Sequence, residues 1–126
     1  MIINKRISII GLGYVGLPLA TEFAKKYKVI GYDISVIRIE ELKKGIDRTK
    51  EVTNKKLLTN NNLVFTNDFN LMKNSDFFIL TIPTPITKKN KPDLSILKKA
   101  TLTVAKVLKK GATIILESTV YPGITE

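Results

Sequence analysis

The stretch Ile7-Ser8-Ile9-Ile10-Gly11-Leu12-Gly13-Tyr14-Val15-Gly16 carries an apolar, strand-like run straight into a Gly-x-Gly-x-x-Gly turn. A helical pattern follows, then a second strand-like run, Lys28-Val29-Ile30-Gly31-Tyr32, that ends on Asp33, 22 positions after Gly11. The six-residue pattern alone is weak, but between a strand and a helix, with an acid at this distance, it reads as a dinucleotide site. Each residue has a physical task. Gly11 permits the tight turn out of the strand, Gly13 has no Cβ to hold a pyrophosphate at a distance, and Gly16 lets the helix pack close to the sheet. The helix N-terminus offers N–H groups and a partial positive charge to the phosphates. Asp33 is placed to accept hydrogen bonds from the adenosine ribose hydroxyls and to repel a 2′-phosphate, so NAD is expected in preference to NADP.

Outward from this unit, strand-like and helix-like segments alternate, which predicts an α/β domain with a parallel sheet and helices on both faces. Strands are expected at Ile7 to Ile10, Val29 to Tyr32, Leu63 to Thr66, Phe77 to Thr81 and Thr113 to Leu116. The first helix reads from about Tyr14 to Lys26, with Val15, Leu19, Ala20, Phe23 and Ala24 as its apolar stripe and Pro18 in its first turn. A second helix covers Val36 to Lys44 and stops at Gly45. Residues 46–62 are polar and say least, with a short helix possible around Thr53 to Leu58. Asp68 to Met72 is a short helical piece. Asp93 is a good N-cap for a long helix to about Lys109, with Leu94, Leu97, Thr101, Val104, Ala105 and Leu108 as its stripe and Gly111 as its end. A Rossmann-like, doubly wound sheet in the order 3-2-1-4-5 follows, with the sixth strand of the usual 3-2-1-4-5-6 arrangement missing. There are no repeats and no low-complexity tract.

Composition narrows the function. The 126 residues suit one domain. They contain no cysteine and no histidine, which removes thiolate metal sites, thiol nucleophiles and the commonest general base; no metal site is expected. The net charge of +10 raises nucleic-acid binding, but the lysines come in scattered pairs such as Lys25-Lys26, Lys43-Lys44 and Lys98-Lys99. Most lie near expected helix ends, where they complement the helix dipole. Without a helix-turn-helix signature or a basic strand rich in aromatics, no nucleic-acid partner is expected. No apolar run approaches the ~20 residues that span a bilayer, and no leader pattern follows Met1. The expectation is a cytoplasmic chain with no membrane partner.

Two further segments fall at C-terminal strand ends, where open α/β sheets bind ligands: Thr81-Ile82-Pro83-Thr84-Pro85 and Glu117-Ser118-Thr119-Val120-Tyr121-Pro122-Gly123. With Gly11 to Ala20, Asp33 and Arg38, they make the chain resemble the N-terminal domain of the UDP-glucose/GDP-mannose 6-dehydrogenase family along essentially its whole length. The Glu117 to Gly123 wording and Lys91-Pro92-Asp93-Leu94 most resemble the UDP-N-acetylhexosamine 6-dehydrogenases of Vi-antigen and O-antigen synthesis. The resemblance implies oxidation of the C6 alcohol of UDP-N-acetylglucosamine, or another UDP-N-acetylhexosamine, to a carboxylate with two NAD+ in succession. It implies cofactor contacts from Gly11, Gly13, Gly16, the backbone of Tyr14 and Val15, Asp33, Arg38 along the adenosine side, Thr84 and Thr119. Thr119 also becomes an auxiliary catalytic residue beside the reacting carbon. The family's catalytic cysteine, glutamate, lysine and aspartate have no counterpart here, and Glu117 belongs to its motif.

Residues 1–126 are therefore expected to be the NAD-binding domain of a longer dehydrogenase whose central helix and UDP-sugar-binding domain lie elsewhere, inactive alone. The longer enzyme is expected to be a homodimer, and this chain to self-associate through the apolar edge Ile114-Ile115-Leu116. Plainer roles stay open: Pro83 and Pro85 as strand stops, Thr119 as a helix N-cap, and Arg38 as a solvated helix residue. Two other functions also stay open. One is the cofactor domain of a hydroxyisobutyrate/6-phosphogluconate-type dehydrogenase, which shares the Gly-Leu-Gly start but lacks the Ser-Thr-Val-x-Pro-Gly segment. The other is a stand-alone NAD-sensing or interaction module.

Overall fold

The computed structural model describes residues 4–59, 61–82 and 94–117. Five strands, β1 (Arg6–Ile10), β2 (Lys28–Tyr32), β3 (Leu63–Thr66), β4 (Phe77–Leu80) and β5 (Thr113–Leu116), alternate with α1 (Gly16–Phe23), α2 (Val36–Lys43), α3 (Asn54–Thr59), a 3₁₀ turn (Phe69–Met72) and α4 (Ser95–Val107). All strand pairs are parallel, in the order β3-β2-β1-β4-β5. The sheet is the one expected from the alternation of segments.

Side chains of β1 and β4 alternate between two cores. Ile7, Ile9 and Ile79 pack with Leu17, Ala20 and Ala24 of α1, Ile39 and Leu42 of α2, and Leu57 of α3. Ile10, Phe78 and Leu80 pack on the other face with Met72 of the 3₁₀ turn and Ala100, Val104 and Val107 of α4. Parallel strands covered on both faces are apolar almost throughout. Ser8 departs from this: it is fully buried in the central strand and its hydroxyl meets that of Ser75 at 2.5 Å.

The helix ends follow local chemistry. The Ser35 hydroxyl caps α2 by accepting from the Arg38 N–H. Gly45, with φ +82°, closes that helix: its N–H donates to the Leu42 carbonyl and the Ile46 N–H to that of Glu41. Two helices differ from expectation. α1 begins at Gly16, because Tyr14 and Val15 belong to the glycine turn; Val15 is exposed, and Leu17, absent from the expected stripe, is fully buried. In α4 the cap position falls on Leu94, which makes no side-chain cap bond, whereas Asp93 lies outside the described residues. Its buried face is Ala100, Val104 and Val107, with Leu97 half-buried. Leu94, Thr101, Ala105 and Leu108 are exposed, a phase error that the Thr and Ala positions could not resolve by hydropathy alone.

The Ser8–Ser75 pair supplies a test of core polarity. Ser8→Ala leaves a buried Ser75 hydroxyl without its partner and should cost about 1–3 kcal/mol. The double change Ser8→Ala/Ser75→Ala should cost less than the sum of the two single changes, as read from denaturant unfolding; strictly additive losses would show that the hydroxyls do not depend on each other.

Candidate functional site

The chain leaves β1 through Gly11, whose φ of +98° excludes ordinary side chains and whose notional Cβ would lie 2.7 Å from the Thr81 carbonyl oxygen. Gly16 is tighter still. A Cβ there would collide with the Gly11 carbonyl oxygen and the Thr81 hydroxyl. Gly13 faces open space, with nothing within 4 Å of a notional Cβ. The crest of the loop is open as well, with Tyr14 70% and Val15 41% exposed. The three glycines differ in the space around them: Gly11 and Gly16 are closely packed, and Gly13 is open.

Thr81, just past β4, fastens this turn. Its N–H donates to the Ile10 carbonyl (2.9 Å) and its hydroxyl lies 2.7 Å from the Gly11 carbonyl and 3.1 Å from that of Ile10. The sequence places Thr81 at a strand end and at the start of the Thr81 to Pro85 segment, without this role for its hydroxyl. A hydroxyl closing a continuously apolar strand at the position opposite the glycine turn was the available signal.

Asp33 lies at the tip of β2, half-buried, with both carboxylate oxygens engaged. Oδ2 accepts from the Leu12 N–H and Oδ1 from the Ser35 N–H, each at 2.9 Å. Each oxygen keeps a lone pair, since an ionised carboxylate has about four acceptor sites. The acid is therefore oriented by backbone donors and still able to accept more hydrogen bonds.

Arg38 is no solvated helix residue: its side chain is 11% exposed. Nε donates to the Leu12 carbonyl (2.8 Å) and Nη1 to Asp47 Oδ1 (2.9 Å), while Nη2 is buried with no partner among the described residues. Asp47, 1% exposed at its side chain, also takes the Thr49 N–H and hydroxyl on Oδ1 and the Glu51 and Val52 N–H groups on Oδ2. Burial pushes its carboxyl pKa up, but the hydrogen bonds of the Thr49 hydroxyl, Val52 N–H, Arg38 and Thr49 N–H outweigh this and hold it below the ordinary range. Asp47 was missed within an uninformative polar segment. Its signal was Asp47-Arg48-Thr49, an acid set to bond its own backbone two residues on.

A cleft of about 300 Å³ opens between these strand ends and α4. Its strand side is Ile10, Gly11, Tyr32, Asp33 and Ile34; Ile96, Lys99, Ala100 and Thr103 of α4 and Ile82 face them. Ile34 is 75% exposed here, an apolar surface beside a carboxylate. None of the α4 residues or Ile34 and Ile82 was anticipated as lining the site. Thr84 and Thr119 lie outside the described residues, as do Pro83, Pro85 and 118–123. Among the described residues no group of three His, Cys, Asp or Glu could hold a metal, and no helix is long and apolar enough to cross a membrane.

A glycine turn at the point where the strand order reverses, with an acid at the end of the neighbouring strand, defines a dinucleotide-binding domain of the doubly wound class. The residues present fit the cofactor: an open Gly13, an oriented carboxylate and an apolar-walled cleft. The chain belongs to the UDP-glucose/GDP-mannose dehydrogenase family as its NAD-binding domain, whose family model matches residues 5–126. It is 50% identical over 121 residues to the UDP-N-acetyl-D-glucosamine 6-dehydrogenase of Pseudomonas aeruginosa and 53% identical over 123 residues to Protein CapL of Staphylococcus aureus. These matches cover 96% and 98% of this chain and 29% of each relative. The solved UDP-D-ManNAc dehydrogenase of Pyrococcus horikoshii is similar at a TM-score of 0.84 and 40% identity, over 95% of this chain and 30% of that one. The chain thus spans under a third of the length of these proteins.

Proposed function

We propose that this domain serves a cytoplasmic nucleotide-sugar 6-dehydrogenase that oxidises UDP-N-acetylglucosamine, or another UDP-N-acetylhexosamine, at C6 to the uronic acid for surface polysaccharide synthesis. The observation that carries the reading is the 50% identity to the Pseudomonas aeruginosa enzyme across 96% of this chain. Bound NAD+ supplies a hydride acceptor, and oxidation of an alcohol to a carboxylate uses two of them. In this reading the free lone pairs of Asp33 accept the adenosine ribose hydroxyls, and the Tyr14 and Val15 N–H groups take the pyrophosphate where Gly13 leaves room. Ile34 and Ile96, which line the cleft, would offer an adenine apolar walls, and Arg38 would brace the loop on the adenosine side. The family resemblance would add Thr84 and Thr119, which lie outside the described residues, with Thr119 given the auxiliary catalytic role.

With no cysteine and no histidine in these 126 residues, thiol and imidazole chemistry must come from outside them. We place the central helix, the UDP-sugar-binding domain and the catalytic cysteine of the longer enzyme there, and its homodimer contacts with them. In the isolated chain β5 pairs only with β4 among the described residues, and Ile114, Ile115 and Leu116 are 48%, 38% and 54% exposed. An apolar edge of this kind recruits another strand. A second copy of the chain is the occupant proposed.

NAD should bind this chain more tightly than NADP, and Asp33→Ala should cost about 1.5–3 kcal/mol of NAD affinity by calorimetry, a charged hydrogen-bonding site being lost. Equal affinity for the two cofactors would overturn the role given to Asp33. Mixed with NAD+ and UDP-N-acetylglucosamine, the purified chain should show no rise in NADH absorbance; steady production would place the chemistry inside these residues. Sedimentation should find association at high concentration that Ile115→Lys weakens, whereas a monomeric parent chain would show that the β5 edge recruits nothing.

A further inference from the structure

The guanidinium of Arg38 is a cation built into the loop that would meet the adenosine ribose. Nε is bonded to the carbonyl of Leu12, the residue whose N–H is held by Asp33. An arginine in this neighbourhood is what accommodates the 2′-phosphate of NADP in domains of this class. Here it is turned elsewhere. Nη1 is committed to Asp47, a side chain only 1% exposed that is itself fixed by four donors from Thr49, Glu51 and Val52.

A buried ion pair is poor evidence of stabilisation, because desolvation offsets most of the attraction; its best-attested use is to fix an arrangement. The arrangement fixed here is the position and the charge of Arg38. The guanidinium is bonded through Nε and Nη1, while Nη2 is buried without a partner among the described residues. It is held where Asp47 and the Leu12 carbonyl require it. Resting on the reading of Asp33 as the ribose acceptor, we propose that Asp47 is a cofactor-specificity residue that acts through Arg38: it neutralises the guanidinium and pins it against the glycine loop, withholding it from a 2′-phosphate.

Selection against NADP then has two parts. Asp33 repels the phosphate directly, and Asp47 keeps the buried guanidinium of Arg38 from compensating. Lys99, on α4, is a separate cation, and it lines the cleft itself. Any test must therefore separate release of Arg38 from a general loss of negative charge. Asp47 is a positioning residue in this scheme, and the NAD-to-NADP affinity ratio reads its role, since loosening of the fold weakens both cofactors alike.

The experiment is calorimetric titration of NAD and NADP into the chain and into Asp47→Asn, Arg38→Gln and the double variant. Asp47→Asn should shift the ratio toward NADP by roughly tenfold, the scale of one charge-assisted hydrogen bond. Arg38→Gln should weaken both cofactors and leave the ratio within about twofold, and the double variant should show no shift toward NADP. An unchanged ratio in Asp47→Asn overturns the proposal. So does a shift that survives in the double variant, which would make it a through-space charge effect or the work of Lys99. If Asp47→Asn does not fold, Arg38→Gln decides: a loss confined to NADP would mean that Arg38 already reaches the phosphate. Asp33→Asn is the control for the underlying reading. A ratio unmoved by Asp33→Asn but moved by Asp47→Asn would refute the ribose role of Asp33 and leave Asp47 as the specificity residue.

Discussion

The contact on which this domain depends is the approach of the first turn of α1 to the end of β1, where the Gly16 Cα sits against the Gly11 carbonyl and the Thr81 hydroxyl. No side chain fits there. Because the helix starts so close to the sheet, its N-terminus opens beside the strand ends, and the Gly13 crest is left free for a ligand. Thr81 lies one residue past β4, and its hydroxyl and N–H bind the carbonyls of Ile10 and Gly11 at the β1 exit. The crevice between β1 and β4, where the strand order reverses, is thus closed at its base by hydrogen bonds and open at its top.

That arrangement explains why so much was legible in the residues. Glycine at 11, 13 and 16 is a statement about space, and space is what the fold imposes there. The parallel sheet was legible because buried strands such as Phe77 to Leu80 are apolar without alternation. Helix faces were harder. In α4, Thr101 and Ala105 are near neutral in hydropathy, and the true face through Ala100, Val104 and Val107 differs by one position. Hydropathy cannot tell an alanine that packs from one that does not; only the sheet beneath α4 makes that choice.

The polar part of the site was the least legible. Asp33 stood out because it ends a strand, but its two backbone partners, Leu12 and Ser35, follow from a turn geometry that no periodicity encodes. Asp47 lies in a segment with no apolar pattern at all, and its importance arises from contacts across the chain to Arg38. The residues lining the α4 side of the cleft are invisible for the same reason. They become neighbours of Asp33 only when α4 packs on the opposite face of the sheet from α1.

Seen together, the charged groups form a chain with one sense. Asp47 is organised by its own loop, Arg38 by Asp47, and the backbone of Leu12 by Arg38 at its carbonyl and by Asp33 at its N–H. The N–H lies in the peptide shared with Gly11 and the carbonyl in the peptide shared with Gly13, so each of these two units is held by one charge-assisted bond, stronger than a neutral one. Leu12 lies between Gly11, whose φ of +98° makes the turn possible, and Gly13, which leaves the crest open. The glycines provide the room and the ion pair removes the mobility that such room would otherwise allow, so the loop is open to a dinucleotide while its backbone remains set for one.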